Sequence, residues 1–168
     1  MAVGPSGVLL GTTAVGDRLL MPLGDPGEQT RVHIAAADAI AKRIVIRAAA
    51  AGERISFHTN DLARWDSVRM PNVAVIEHPR PASGTTLSVT DGSVAPAPRP
   101  STVVSVSAPG TAMGAAVADV VIIQTGPATI EVAAGGERHG VEMELFRAEN
   151  RYVSQESRAP LADLEPAT

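Results

Sequence analysis

Three histidines, His33, His58 and His78, fall on or beside successive strand-like segments of one fifty-residue stretch. Imidazole changes charge near neutrality and is a common metal ligand, so this group is the first to weigh for acid–base or metal chemistry. His58 opens the run His58-Thr59-Asn60-Asp61, which adds a hydroxyl, an amide and a carboxylate. His58 and His78 lie near the C-terminal ends of their segments, where α/β proteins place their sites. One reading is therefore a small-ligand- or metal-dependent enzyme built from His58, Asp61 and His78. Against it, His33 is mid-segment, no HExxH occurs and no carboxylate recurs at ligand spacing. Partly buried, hydrogen-bonded histidines are the preferred reading, with no catalytic residue, metal or cofactor expected.

The junction after Ile34 is the second place to look, because phosphate-binding loops sit between a strand and a helix. A phosphate loop needs glycines whose amides wrap the phosphates, a lysine, and a hydroxyl for magnesium. Here the run is Ala36-Ala37-Asp38-Ala39-Ile40-Ala41-Lys42-Arg43. The lysine falls in place, but the glycines read alanine and the hydroxyl reads arginine. Asp38 would set a negative charge where phosphate belongs, so nucleotide turnover is not expected; an acid at a helix N-terminus is the simpler account.

The absence of cysteine removes disulfides, thiolate zinc sites and thiol nucleophiles. No serine stands in GxSxG, and Glu142 and Glu144 alternate with apolar residues as a solvent face would. A net charge of −4 and only four aromatics, Phe57, Trp65, Phe146 and Tyr152, argue against a nucleic-acid partner. Arg43, Arg47, Arg54, Arg64 and Arg69 cluster within one short stretch. Arg43 and Arg47 are like charges at i, i+4, which slightly disfavour a helix. A basic face of this kind could contact acidic protein or anionic lipid headgroups, although a solvated face is the commoner outcome; Arg43, Arg47 and Arg64 are the candidate contact residues for a protein partner.

These residues need elements to hold them. The 168-residue chain reads as one domain over 7–153, between an N-terminal tail at 1–6 and a disordered polar tail at 154–168. With so few aromatics, its core must come from Val, Ile, Leu and many of the 28 alanines. Gly7–Leu23 reads as a hairpin with Pro22 on an edge. Thr30–Ala35, Arg54–Thr59 and Val73–Glu77 alternate with a helix at Ala36–Ala51, ended by Gly52, and a short helix at Asp61–Val68. This β-α-β-α-β order predicts an α/β fold with three parallel strands. Thr85–Thr90 is a further strand, and Val94–Pro100 is a proline-rich spacer. Thr102–Ser107, Ala118–Thr125, Thr129–Ala133 and Val141–Phe146 are strand candidates, and the glycine-bearing turns between the last three suggest a C-terminal antiparallel meander. The expected core is Val32, Ile34, Ile40, Ile44, Ile55, Phe57, Val75 and Val120–Ile123, the last buried on both faces. No run of 18 apolar residues occurs, so no membrane-spanning segment is expected in this sequence.

Three stretches carry a resemblance: GVLLGTTAVGDRLLMPL at Gly7–Leu23, IVIRAAAAGERISF at Ile44–Phe57, and Trp65 soon after. With ADVVIIQTG at Ala118–Gly126, they resemble the C-terminal soluble domain of EccE-like proteins. Those proteins are components of the actinobacterial type VII (ESX) secretion machine. The resemblance implies a non-catalytic scaffold domain that contacts other protein components of the complex. It further implies a place at the cytoplasmic face of the inner membrane, following transmembrane helices that this sequence does not contain. No catalytic residues attach to this region of the family, so none carries over.

Overall fold

The computed structural model describes residues 7–13, 15–22, 30–100, 102–110 and 118–153. The tails expected at 1–6 and 154–168 lie outside the described residues. Ten strands form one mixed sheet: β1 (Gly7–Thr13), β2 (Arg18–Pro22), β3 (Thr30–Ala35), β4 (Ile55–His58), β5 (Val73–Ile76), β6 (Leu87–Thr90), β7 (Thr102–Ser107), β8 (Val120–Gln124), β9 (Thr129–Ala134) and β10 (Glu137–Glu142). Their order across the sheet is β2-β1-β10-β9-β8-β3-β7-β6-β4-β5. The stretch from β8 to β5 is parallel throughout, and the other strands pair antiparallel. The predicted α/β class and N-terminal hairpin are both present, and β2 is an edge strand that ends at Pro22.

Two placements differ from expectation. The three predicted strands are parallel, and β4 and β5 are neighbours, but β7 and β6 stand between β3 and β4. Thr102–Ser107, expected as a strand, is one of these inserted strands, and the predicted meander is present as β8-β9-β10. Its last strand ends at Glu142, because Gly135 and Gly136 turn the chain early, both at positive φ. The second difference is Val120–Ile123. Only Ile122 is fully buried, while Ile123 is 38% exposed. β8 is where the parallel sheet meets the antiparallel ribbon, and its outward residues lack a covering layer among the described residues.

The central helix α1 (Asp38–Ala50) explains the alanine content. Every residue from Ile40 to Ala49 is buried, Lys42, Arg43 and Arg47 included. A helix buried all round needs small residues where neighbours approach, and Ala41, Ala48 and Ala49 supply them. Ile40, Ile44, Val45 and Ile46 fill the gaps, each stabilising by about 1.5–3 kcal/mol through removal from water. The helix ends in a Schellman turn: Gly52 N–H donates to Ala49 O at 3.0 Å and Glu53 N–H to Ala48 O at 3.1 Å. Gly52 sits at φ +107, which only glycine adopts freely. The remaining helical pieces, α2 (Leu62–Trp65) with a 3-10 turn at Asp66–Val68, and α3 (Asn150–Val153) after a 3-10 turn at Arg147–Glu149, pack around α1. Trp65 stacks on Phe57 with ring centroids 4.4 Å apart.

The proline-rich spacer is more than a tether. Thr90 Oγ1 donates to Val94 O at 2.6 Å and Ala97 N–H to Pro79 O at 3.0 Å. The loops on either side of β6 are thereby tied to each other and to the end of that strand; all four residues of β4 and of β6 are buried.

Candidate functional site

The C-terminal ends of β3, β7 and β8 converge on the junction that would hold phosphate in a nucleotide-binding protein. Its amides are already taken. Ala36 N–H donates to Ser107 O at 3.0 Å, and Ala37 N–H donates to Gln124 Oε1 at 2.8 Å. Asp38, the first residue of α1, accepts both bonds of the Arg64 fork at 2.8 and 2.7 Å. That hydrogen-bonded pairing raises the Arg64 guanidinium further above its already high value. The place of a phosphate is thus filled by an internal amide, a backbone carbonyl and an ion pair.

Beside it, at the ends of β4 and β6, Asp91 gathers four donors. Thr59 Oγ1 lies at 2.7 Å, Trp65 Nε1 at 3.1 Å, Ser93 N–H at 3.0 Å and Ser93 Oγ at 2.5 Å. Burial alone would raise this carboxyl, but the hydrogen bonds from Ser93, Thr59 and Trp65 outweigh it and hold the group below its ordinary value. An ionised carboxylate saturated with donors anchors loops and is a poor proton carrier. Asp91 is not among the candidate residues of the sequence analysis; the run Asp91-Gly92-Ser93 after a strand is its only signal.

His58 and His78 lie close together, whereas His33 and His58 do not converge. His58 is fully buried, and its Nδ1–H donates to the backbone carbonyl of His78 at 2.8 Å. Because a carbonyl can only accept, the neutral ring carries its proton on Nδ1, and burial pushes its pKa below 6.5. His33 Nε2 lies 2.8 Å from Ser107 Oγ, and burial lowers this ring too. In the sheet, His33, Ser105, Thr90 and His58 occupy one row across successive strands. Three strand spacings separate the two histidines by about 14 Å, too far to share an ion. Asp61 caps α2, accepting from Arg64 N–H at 3.3 Å. Among the described residues no group of three or more metal-ligating side chains forms.

The three arginines of the predicted contact face differ in exposure. Arg43 and Arg47 are only 7% and 8% exposed. Both reach the C-terminal segment. Glu149 accepts from Arg43 Nη1 at 2.8 Å, from Arg47 Nε at 2.6 Å and from Arg47 Nη2 at 2.9 Å. Arg43 also donates to Phe146 O and to Asn150 Oδ1, at 3.2 and 2.7 Å. Arg47 donates to Leu9 O at 3.3 Å and to Glu144 O. The two helix charges at i, i+4 therefore share one carboxylate between them. Of the three predicted contact residues, Arg64 alone keeps a sizeable exposed surface, lying 4.7 Å over the Trp65 ring. Leu145 and Phe146, both substantially exposed, flank the Glu149 clamp, and Phe146 lies 5.0 Å from the Arg47 guanidinium.

No described helix is long and apolar enough to cross a membrane. No family model matches the chain, and no solved structure matches it. The chain is 46% identical over 176 aligned residues to the ESX-2 secretion system protein EccE2 of Mycobacterium tuberculosis (strain CDC 1551 / Oshkosh). The match covers 92% of this chain and 33% of that protein, so the chain spans about one third of its relative's length. The aligned third is the C-terminal part of EccE2, and the chain fits an EccE-like C-terminal domain.

Proposed function

We propose that the chain serves as a non-catalytic interaction domain of a type VII (ESX) secretion apparatus, working beside the inner membrane at its cytoplasmic face. The identity to the C-terminal third of EccE2 carries this reading. The filled strand-to-helix junction supports its non-catalytic part, since Gln124, Ser107 and the Asp38–Arg64 pair occupy the place of a phosphate. Contact with other protein components runs, in this reading, over the exposed side of α2 around Arg64, rather than through the buried Arg43 and Arg47.

Affinity purification of this domain, within its native protein, from solubilised host membranes should recover other components of the secretion complex. Recovery of none would overturn the assignment. Arg64→Glu should reduce that recovery without unfolding the domain, because a half-exposed ion pair adds little stability. Equal recovery would remove Arg64 from the interface. ATP and GTP hydrolysis should equal the buffer rate with and without Mg²⁺; saturable turnover would sink the non-catalytic reading.

A further inference from the structure

The opposite end of the sheet, where β4, β5 and β6 begin, holds a cavity of about 310 Å³. Arg54, Ile55, Asn72, Ala74, Ser83 and Thr85 contribute to its lining. Its walls are fixed by their own hydrogen bonds. On one side the 82–86 loop is pinned to β4: Ala82 N–H donates to Ser56 Oγ at 2.9 Å, Ser56 Oγ and Thr85 Oγ1 lie 2.7 Å apart, and Thr86 N–H donates to Arg54 O at 2.8 Å. On the other side Asn72 Nδ2 donates to Ala49 O and Glu53 O at 2.9 and 3.0 Å. These polar groups are spent on the fold.

Two polar groups of the lining are not. The Arg54 guanidinium and the Ser83 hydroxyl have no partner among the described residues. The neighbouring carboxylate, Glu53, is engaged elsewhere, accepting from Thr86 Oγ1 at 2.7 Å. The guanidinium lies against the Gly84 backbone, where an added Cβ would stand 3.3 Å from Nη1. The exposed Arg54 side chain thus lies beside Gly84 at the rim of the cavity, with the exposed Ser83 hydroxyl on the residue before that glycine. A guanidinium offers donors only, in a planar fork that matches two oxygens of one oxyanion. The floor of Ile55 and Ala74 brings no competing charge.

The geometry points to a binding site for a phosphate group, gripped by the Arg54 fork and the Ser83 hydroxyl, with room for a small organic substituent. The group could be carried by a soluble phosphate monoester or by a lipid headgroup; the chemistry at Arg54 is the same. This site is remote from the β3–α1 junction and does not depend on the secretion role.

The test is a titration of the isotope-labelled full chain, followed by amide chemical shifts, with inorganic phosphate, glycerol 3-phosphate, and phosphatidylcholine vesicles with and without phosphatidic acid. Saturable shifts centred on Ser83, Gly84 and Arg54 are expected with both soluble phosphates, and not with chloride at equal ionic strength. Arg54→Gln should weaken binding about tenfold, the loss of one charge-assisted hydrogen-bond pair, and Arg54→Lys should fall between. An unchanged melting temperature in both variants separates lost binding from lost fold. Stronger binding to acidic vesicles than to glycerol 3-phosphate identifies a lipid headgroup as the source; the reverse identifies a soluble ester. Shifts that stay linear through the millimolar range for every probe, or equal affinity in Arg54→Gln, overturn the proposal.

Discussion

Replacing Glu149 with leucine removes one carboxylate from two buried guanidinium groups. The side chains of Arg43, Arg47 and Glu149 are 9%, 8% and 12% exposed, so the three charges sit largely out of water. Deleting one member of such a group leaves the others desolvated and underpaired, which costs about 3–5 kcal/mol. Here the low end applies, because Arg43 keeps Phe146 O and Asn150 Oδ1 and Arg47 keeps Leu9 O and Glu144 O. The expected loss is about 3 kcal/mol, or roughly 6–12 °C in melting temperature for a domain of this size. Urea unfolding of the full chain, followed by circular dichroism and by the fluorescence of the single tryptophan Trp65, reads it directly. A second variant, Arg43→Met with Arg47→Met and Glu149→Leu, should recover most of the stability, since replacing a whole buried ion group by apolar residues is often neutral. If Glu149→Leu costs under about 1 kcal/mol, the value of an exposed ion pair, the triad is not a buried clamp. The two arginines would then return to the surface as contact residues.

Three further outcomes follow from single features. His58 and His33 both have folded pKa values depressed below 6.5 by burial, so the unfolded chain binds their protons first as the pH drops. Stability should hold above pH 6.5 and fall below it, by up to about 1.4 kcal/mol per pH unit for each histidine. Urea midpoints at pH 7.5, 6.5 and 5.5 would show this, and a flat profile would contradict it. Gly11→Ala drives a Cβ into the Glu142 carbonyl where β1 meets β10; a loss of about 1–3 kcal/mol is expected, as for overpacking, and wild-type thermal stability would refute that close approach. Gln124→Ala strips the acceptor from the Ala37 amide at the start of α1, with an expected cost of about 1 kcal/mol, as for losing a helix cap, read by thermal melting.

The sequence made local structure legible and long-range pairing much less so. The α1 segment announced itself through its helix formers, and Gly52 marked its end, because both signals lie within a turn of the residues they govern. The strands β3, β4 and β5 were legible for the same reason. That β7 and β6 enter between β3 and β4 was not, since nothing in Leu87–Thr90 or Thr102–Ser107 specifies which distant strand they join. The Arg43–Arg47–Glu149 clamp was likewise hidden by a separation of more than a hundred residues. The alanines of α1 carried no signal of it: by the helical step of about 100°, Ala41, Ala48 and Ala49 lie on the side of the helix away from Arg43 and Arg47.

A buried ion group adds little net stability compared with a well-packed apolar one, so its presence here calls for another reason. Apolar side chains at positions 43 and 47 would hold the last segment against α1 but would not fix its register, because hydrophobic contact is non-directional. The guanidinium groups are directional. Arg47 reaches Leu9 O, beside the bulge in β1, and Glu144 O just past β10, while Arg43 reaches Phe146 O and Asn150 Oδ1. One helix thereby holds the first strand and the last described segment at set positions, and Ser67 Oγ donates to Tyr152 O at 2.8 Å to tie the same segment to the 3-10 turn after α2. The described elements are closed around α1 from both ends of the sequence. A body held this way keeps its surfaces in fixed relation to one another, which suits the interaction role proposed for the domain.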